Sequence, residues 1–185
     1  MNTCDRGDGK EAEARVVPLA LKAHGFTLSL DLVAPSTAAY HNPLFLGSAT
    51  LSPTVPTGTW VARTTLDASL ADVDRLCAWI GEHIAALSER RYHESRTWVS
   101  QYLDMSVQCL LGDIVRQEDI LEGDFTIRIM LRVGRDATGA RVYAGLEGVI
   151  DVQEALLLCD SMRAYVGGWT EARSPRRATN GPERG

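Results

Sequence analysis

The sequence predicts an α+β domain: an antiparallel sheet of about five to six strands with two amphipathic helices packed on one face. Three observations carry this. Apolar and polar residues alternate over several stretches, the period of a half-buried strand. Two other stretches repeat apolar residues every three or four positions, the period of a helix that buries one stripe. The strand-like stretches also come in runs rather than alternating one for one with helices, which favours antiparallel ladders over βαβ units.

The first element is a hairpin. Val17, Leu19 and Leu21 share a face, and beyond the turn at His24-Gly25 the pattern resumes with Phe26, Leu28, Leu30 and Leu32 against Thr27, Ser29 and Asp31. A short strand near Ser48 to Leu51 follows, and then "GTWVARTTLDA", in which Trp60, Ala62, Thr64 and Leu66 share a face. In "SLADVDRLCAWIGEHIAALSERR" the residues Leu70, Val73, Leu76, Cys77, Ile80, Ile84 and Leu87 make one helical stripe. Ser69 and Asp72 approximate a capping box, and Arg90 and Arg91 stand where a helix C-terminus favours positive charge. Trp79, off the edge of the stripe, reads as peripheral packing rather than as a stacking platform for a ligand.

Three long strands and a second helix complete the order. "TWVSQYLDMSVQCLL" sets Val99, Leu103, Met105, Val107, Cys109 and Leu111 against Trp98, Ser100, Tyr102, Asp104, Ser106 and Gln108. "DFTIRIMLRVG" sets Phe125, Ile127, Ile129, Leu131 and Val133 against Thr126, Arg128 and Arg132, and the turn "GRDATGA" leads into "RVYAGLEGVI" as an antiparallel hairpin. Asp151 and Glu154 open the last helix, whose stripe is Val152, Ala155, Leu156, Cys159, Met162 and Val166. Gly145 and Gly148 read as permitting a bend or the close approach of a helix. No internal repeat is visible.

These elements place one domain at residues 15–166 between tails at 1–14 and 167–185, both of disordered composition. The first tail carries −2, from four acids and two bases, and the second +2, from four bases and two acids, so the chain's net −5 belongs to the domain. That balance speaks against nucleic acid, whose partners present basic stripes, and suits a cationic partner. The uncharged run from Leu32 to Ala62 is broken by Pro35, Pro43, Pro53 and Pro56, so no membrane span is expected. The N-terminus has no secretory pattern and the four cysteines are 73, 32 and 50 residues apart without a close pair, so free thiols and a cytoplasmic location are expected.

The polar run "SERRYHESRT", residues 88–97, contains the groups of an acid–base site, with His93 beside Glu94 and His83 nearby. Adjacent residues rarely converge on one substrate atom, and the run follows a capped helix, so it reads as a helix-to-strand connection with no catalytic residue. None of His24, His41, His83 and His93 is spaced i,i+4 with another, and no P-loop, GxGxxG or GxSxG occurs, so neither metal nor cofactor is expected. In "AAYHNPLFLGS", Tyr40, Leu44, Phe45 and Leu46 read as tucked onto the core rather than as an exposed lid.

One cluster stands apart. Asp113, Glu118, Asp119, Glu122 and Asp124 fall within twelve residues, opposed only by Arg116, in a connection longer than a hairpin needs. Solvation alone accounts for many such runs; the functional reading is a docking surface for a basic protein partner. The order of elements, with "WVSQYLDMSVQCLL", "GDFTIRIMLRVG" and "LEGVIDVQEALLLCDSM", resembles small immunity-type and conflict-associated actinobacterial domains over roughly Val16 to Val166. That resemblance implies a non-enzymatic, acidic, single-domain inhibitor that covers a toxin's active surface, and it carries no site residue across. Two other readings stay open. A small apolar-ligand carrier or cyclase-like enzyme would need a cavity behind Phe125, Ile127, Ile129 and Leu131. A scaffold or homo-oligomerisation domain would need a long unpaired edge strand.

Overall fold

A computed structural model describes residues 16–33, 44–54, 60–91, 97–100, 102 and 104–173. The order is β1 (Val16–Ala23), β2 (Phe26–Val33), β3 (Leu44–Pro53), β4 (Ala62–Ser69), α1 (Leu70–Ser88), β5 (Thr97–Val99), β6 (Met105–Gln117), β7 (Ile120–Arg135), β8 (Arg141–Asp151) and α2 (Val152–Arg173). The α+β class expected from the sequence is present, but the single sheet of five to six strands is not. There are two four-stranded antiparallel sheets, ordered β1-β2-β3-β4 and β5-β6-β7-β8, each followed by a helix. Alternation fixes which face of a strand is buried, not which strand lies beside it, and so it could not divide the strands between two sheets. The halves repeat in architecture without an echo in sequence.

The helices are exchanged between the halves. α1 follows the first sheet yet packs on β6 of the second, whereas α2 follows the second and packs on β1 of the first as well as on β7. One continuous apolar core results, built from both sheets and both helices. Leu76, Ile80, Ile84, Ile127, Ile129, Leu131 and Cys159 are buried in it as the periodicity requires. Leu156 is only half-buried, and Leu158 takes its place in the stripe with Val152, Ala155, Cys159, Met162 and Val166. α2 also continues past Val166 to Arg173, beyond the expected domain boundary.

The capping box of α1 is formed. Asp72 N donates to Ser69 Oγ at 3.1 Å, and Ser69 N donates to Asp72 Oδ2 at 3.0 Å. Burial alone would raise the Asp72 carboxyl, but these bonds and the Arg75 guanidinium hold it below the ordinary aspartate range. At the other end Glu89 is the C-cap, and Arg90 follows with a left-handed φ of 53°, so Arg90 and Arg91 lie just past the last turn rather than in it.

The stretch from Thr97 to Leu111 departs most from its pattern. It is not one strand but a hairpin, with Thr97 opposite Gln108 and Val99 opposite Ser106. The reversal is held by Ser100, whose Oγ accepts from Asp104 N at 3.0 Å and Met105 N at 3.2 Å. Ser100 and Asp104, expected on the wet face, are therefore buried, and Asp104 pairs with Arg132 at 2.5 Å. Trp98, expected on the same face, is buried as well. Local side-chain acceptors of this kind compete with the ladder and turn the chain.

The hairpin at His24-Gly25 forms as expected, with φ of 102° at Gly25, and its tip docks on the second sheet: His24 N donates to Val149 O at 2.7 Å. Gly148 permits this. A Cβ there would lie 2.3 Å from His24 O, so the neighbour that it admits is another hairpin, not a helix. Among the described residues no helix is long and apolar enough to cross a membrane.

Candidate docking surface

The five carboxylates of the acidic cluster do not lie in a long loop. β6 and β7 stay paired through them to a two-residue turn, Glu118-Asp119, between Gln117 and Ile120. What keeps the ladder intact is the inner face: Ile114 is buried and Leu121 packs against the core, while Glu118 takes a φ of 55° at the turn. The expectation of a connection longer than a hairpin needs is thus corrected. The strands themselves are long.

On the outer face the register puts Asp113 opposite Asp124, and Asp124 opposite Asp151 on β8, three carboxylates in one row across three strands. Glu122 lies opposite Val115. All five acids are exposed, and among the described residues no basic side chain forms an ion pair with any of them. Like charges placed directly opposite destabilise a ladder, so the row works against the fold that carries it. It does not converge as a metal site; no such cluster occurs among the described residues.

Three large apolar side chains stand among the acids: Leu111 at 86% exposure, Ile120 at 59% and Val115 at 43%. Alternation in the sequence does not place them there. Strict alternation would send Leu111 inward with Val107 and Cys109, but the register slips between Cys109 and Gly112 and turns it out. Gly112 is the readable signal, since a Cβ there would lie 2.4 Å from Phe125 Cβ and only glycine admits so close a neighbour. β5 reaches only to Gln108, and beyond Cys109 no described strand pairs with the outer side of β6.

No protein-family model matches the chain, and no curated protein matches it. It is similar in structure to the plant transcriptional regulator PBF-2. That likeness has a TM-score of 0.41 at 10% identity and covers 85% of this chain and 86% of that one.

The other candidates resolve differently. His93, Glu94, His41, Tyr40 and the tail 1–14 lie outside the described residues, as do the side chains of Leu44, Phe45 and Leu46. His83 is buried, its Nε2 2.8 Å from Leu110 O and its ring stacked on Trp79 at 6.4 Å, so Trp79 belongs to the packing. Cys77, Cys109 and Cys159 are buried thiols; Cys77 Sγ lies 3.6 Å from Cys159 O, and burial pushes the Cys109 thiol up. Behind Ile127 and Ile129 the void measures about 10 Å³, and the one beside Trp98 and Met162 about 30 Å³, room for a water and no more. Another, about 150 Å³, is a surface groove between β1 and α2 at Pro18 and Leu157.

Proposed function

We propose that this chain is a non-enzymatic protein-binding domain that docks its partner on the β6–β7 hairpin, with Asp113, Glu118, Asp119, Glu122 and Asp124 supplying the charge. The observation that carries the reading is the outer face of that hairpin, where exposed Leu111, Val115 and Ile120 stand among the five exposed carboxylates. Apolar groups give an interface its contact area, while the acids steer a basic surface to it and reject acidic ones. An inhibitor of the immunity type, covering a basic toxin or effector, is the form of partner binding that the acidic charge suits. The carrier reading gains no support from the voids behind Ile127 and beside Trp98, which among the described residues are too small for an apolar ligand.

The test is capture from extracts of the native host by the wild-type chain and by a variant with Asp113→Lys, Glu118→Lys and Asp119→Lys. A partner held by the first and lost by the second supports the reading. A partner held equally by both removes the hairpin from it.

A further inference from the structure

The two helices meet through a pair of thiols that the docking surface does not use. Cys77 on α1 and Cys159 on α2 are both buried and both free. They stand 82 positions apart in the sequence, yet the Cys77 thiol donates to Cys159 O at 3.6 Å. The Cys159 thiol in turn donates to the Cys77 sulfur. A small apolar group of any kind would fill either stripe; only two thiols in contact can also be joined.

The contact makes the two sulfurs unlike. The bond from Cys159 holds the Cys77 thiol below the ordinary cysteine range against the burial that would raise it, and the Arg163 guanidinium helps, opposed by Asp74 and Asp160. The same bond, with burial, pushes the Cys159 thiol up. Cys77 is thus the readier thiolate, and a protonated thiol stands beside it. A thiolate is the form that a peroxide oxidises, and a neighbouring thiol is what turns the product into a disulfide. Burial pushes the thiol of Cys109, on β6, up.

We infer that Cys77 and Cys159 form a reversible disulfide staple between α1 and α2 when the protein meets a hydroperoxide. The Cys77 thiolate attacks the terminal peroxide oxygen, the O–O bond breaks, and the departing alkoxide or hydroxide takes up the proton that Cys77 gave up. Cys77 is left as a sulfenic acid. The Cys159 sulfur then attacks the Cys77 sulfur, the S–O bond breaks, and the hydroxyl leaves as water with the Cys159 proton. One hydroperoxide is reduced and two thiols are oxidised; a dithiol reverses the change by exchange. Local opening admits a small oxidant to these buried sulfurs more readily than a bulky reagent. The closed loop spans residues 78–158 and so contains the whole second sheet, β5 to β8. A cross-link around so long a loop removes freedom from the unfolded chain, and the oxidised form holds that sheet more firmly. The staple does not depend on what the acidic hairpin binds.

Mass spectrometry of the full chain carrying Cys4→Ser tests this. The reduced, native protein is treated with hydrogen peroxide, then denatured in the presence of an alkylating agent and digested. The expected product is lighter by two hydrogens before alkylation, carries the Cys77 peptide joined to the Cys159 peptide, and is alkylated at Cys109 alone. Dithiothreitol should restore alkylation of Cys77 and Cys159, and the oxidised form should melt roughly 10 °C above the reduced one. Adding Cys77→Ser should slow oxidation by roughly tenfold, and adding Cys159→Ser should stop it at a Cys77 sulfenic acid that dimedone traps. Full alkylation of Cys77, Cys109 and Cys159 after peroxide overturns the inference, as does sulfinic acid without linked peptides. Linkage through Cys109, or a linked chain that melts no higher than the reduced one, overturns it as well.

Discussion

Ile129→Ala and Leu111→Ala together separate the observed second sheet from the one that alternation alone would draw. Ile129 is 1% exposed on the inner face of β7, whereas Leu111 is 86% exposed past the irregularity in β6. Ile129→Ala removes three carbons from a packed site, and at ~0.8 kcal/mol per buried methylene the transfer loss is ~2.4 kcal/mol. The adjoining void is about 10 Å³, so neighbours have little slack with which to collapse. A residual cavity of about 60 Å³ at ~24 cal/mol per Å³ then adds ~1.4 kcal/mol, for a total of about 4 kcal/mol. Leu111→Ala removes as many carbons from solvent and should change stability by less than about 0.5 kcal/mol. Urea unfolding at equilibrium reads both. Equal losses of several kcal/mol would mean that Leu111 is inside, and would refute the register slip and the exposed hairpin face built on it.

Two further outcomes follow from single groups. Because the folded Asp72 carboxyl lies below its unfolded value of about 3.9, its stabilising effect is complete above that pH and is lost as pH falls through the folded value. Thermal melts of wild type and Asp72→Ala from pH 6 down to pH 3 should therefore differ most at pH 6 and converge in acid; a constant difference would remove the charge from the cap. In a Cys4→Ser variant, Cys77, Cys109 and Cys159 should resist alkylation in the native state and react fully in denaturant, because they are buried and the Cys109 thiol is raised. Fast labelling of Cys77 or Cys159 in the native chain would contradict the packing of α1 against α2.

Much of the local structure was legible. The stripe of α1, its cap at Ser69 and Asp72, the turn at His24-Gly25 and the inner faces of β2 and β7 each follow from spacing, because burial imposes a period on every element. What was not legible depends on partners. Nothing in the alternation of β6 distinguishes one long strand from the hairpin that Ser100 folds back, since a hydroxyl at that position serves a wet face equally well. The same holds for the two sheets, which share one pattern. The acids of the candidate site were readable as a cluster, but not as a hairpin face: that required the slip at Gly112, which converts Leu111 from a core residue into part of an exposed patch.

Steered binding of a protein at the β6–β7 hairpin would show in the association rate. Rates would be taken for the captured partner against ionic strength from low salt to about 0.5 M, for wild type and for the variant Asp113→Lys, Glu118→Lys, Asp119→Lys. Exposed charges act over about 8 Å at physiological ionic strength, so the wild-type rate should fall steeply with salt. The variant should be at least tenfold slower at low salt, and the two should converge at high salt. Rates that are equal at every ionic strength would contradict the claim.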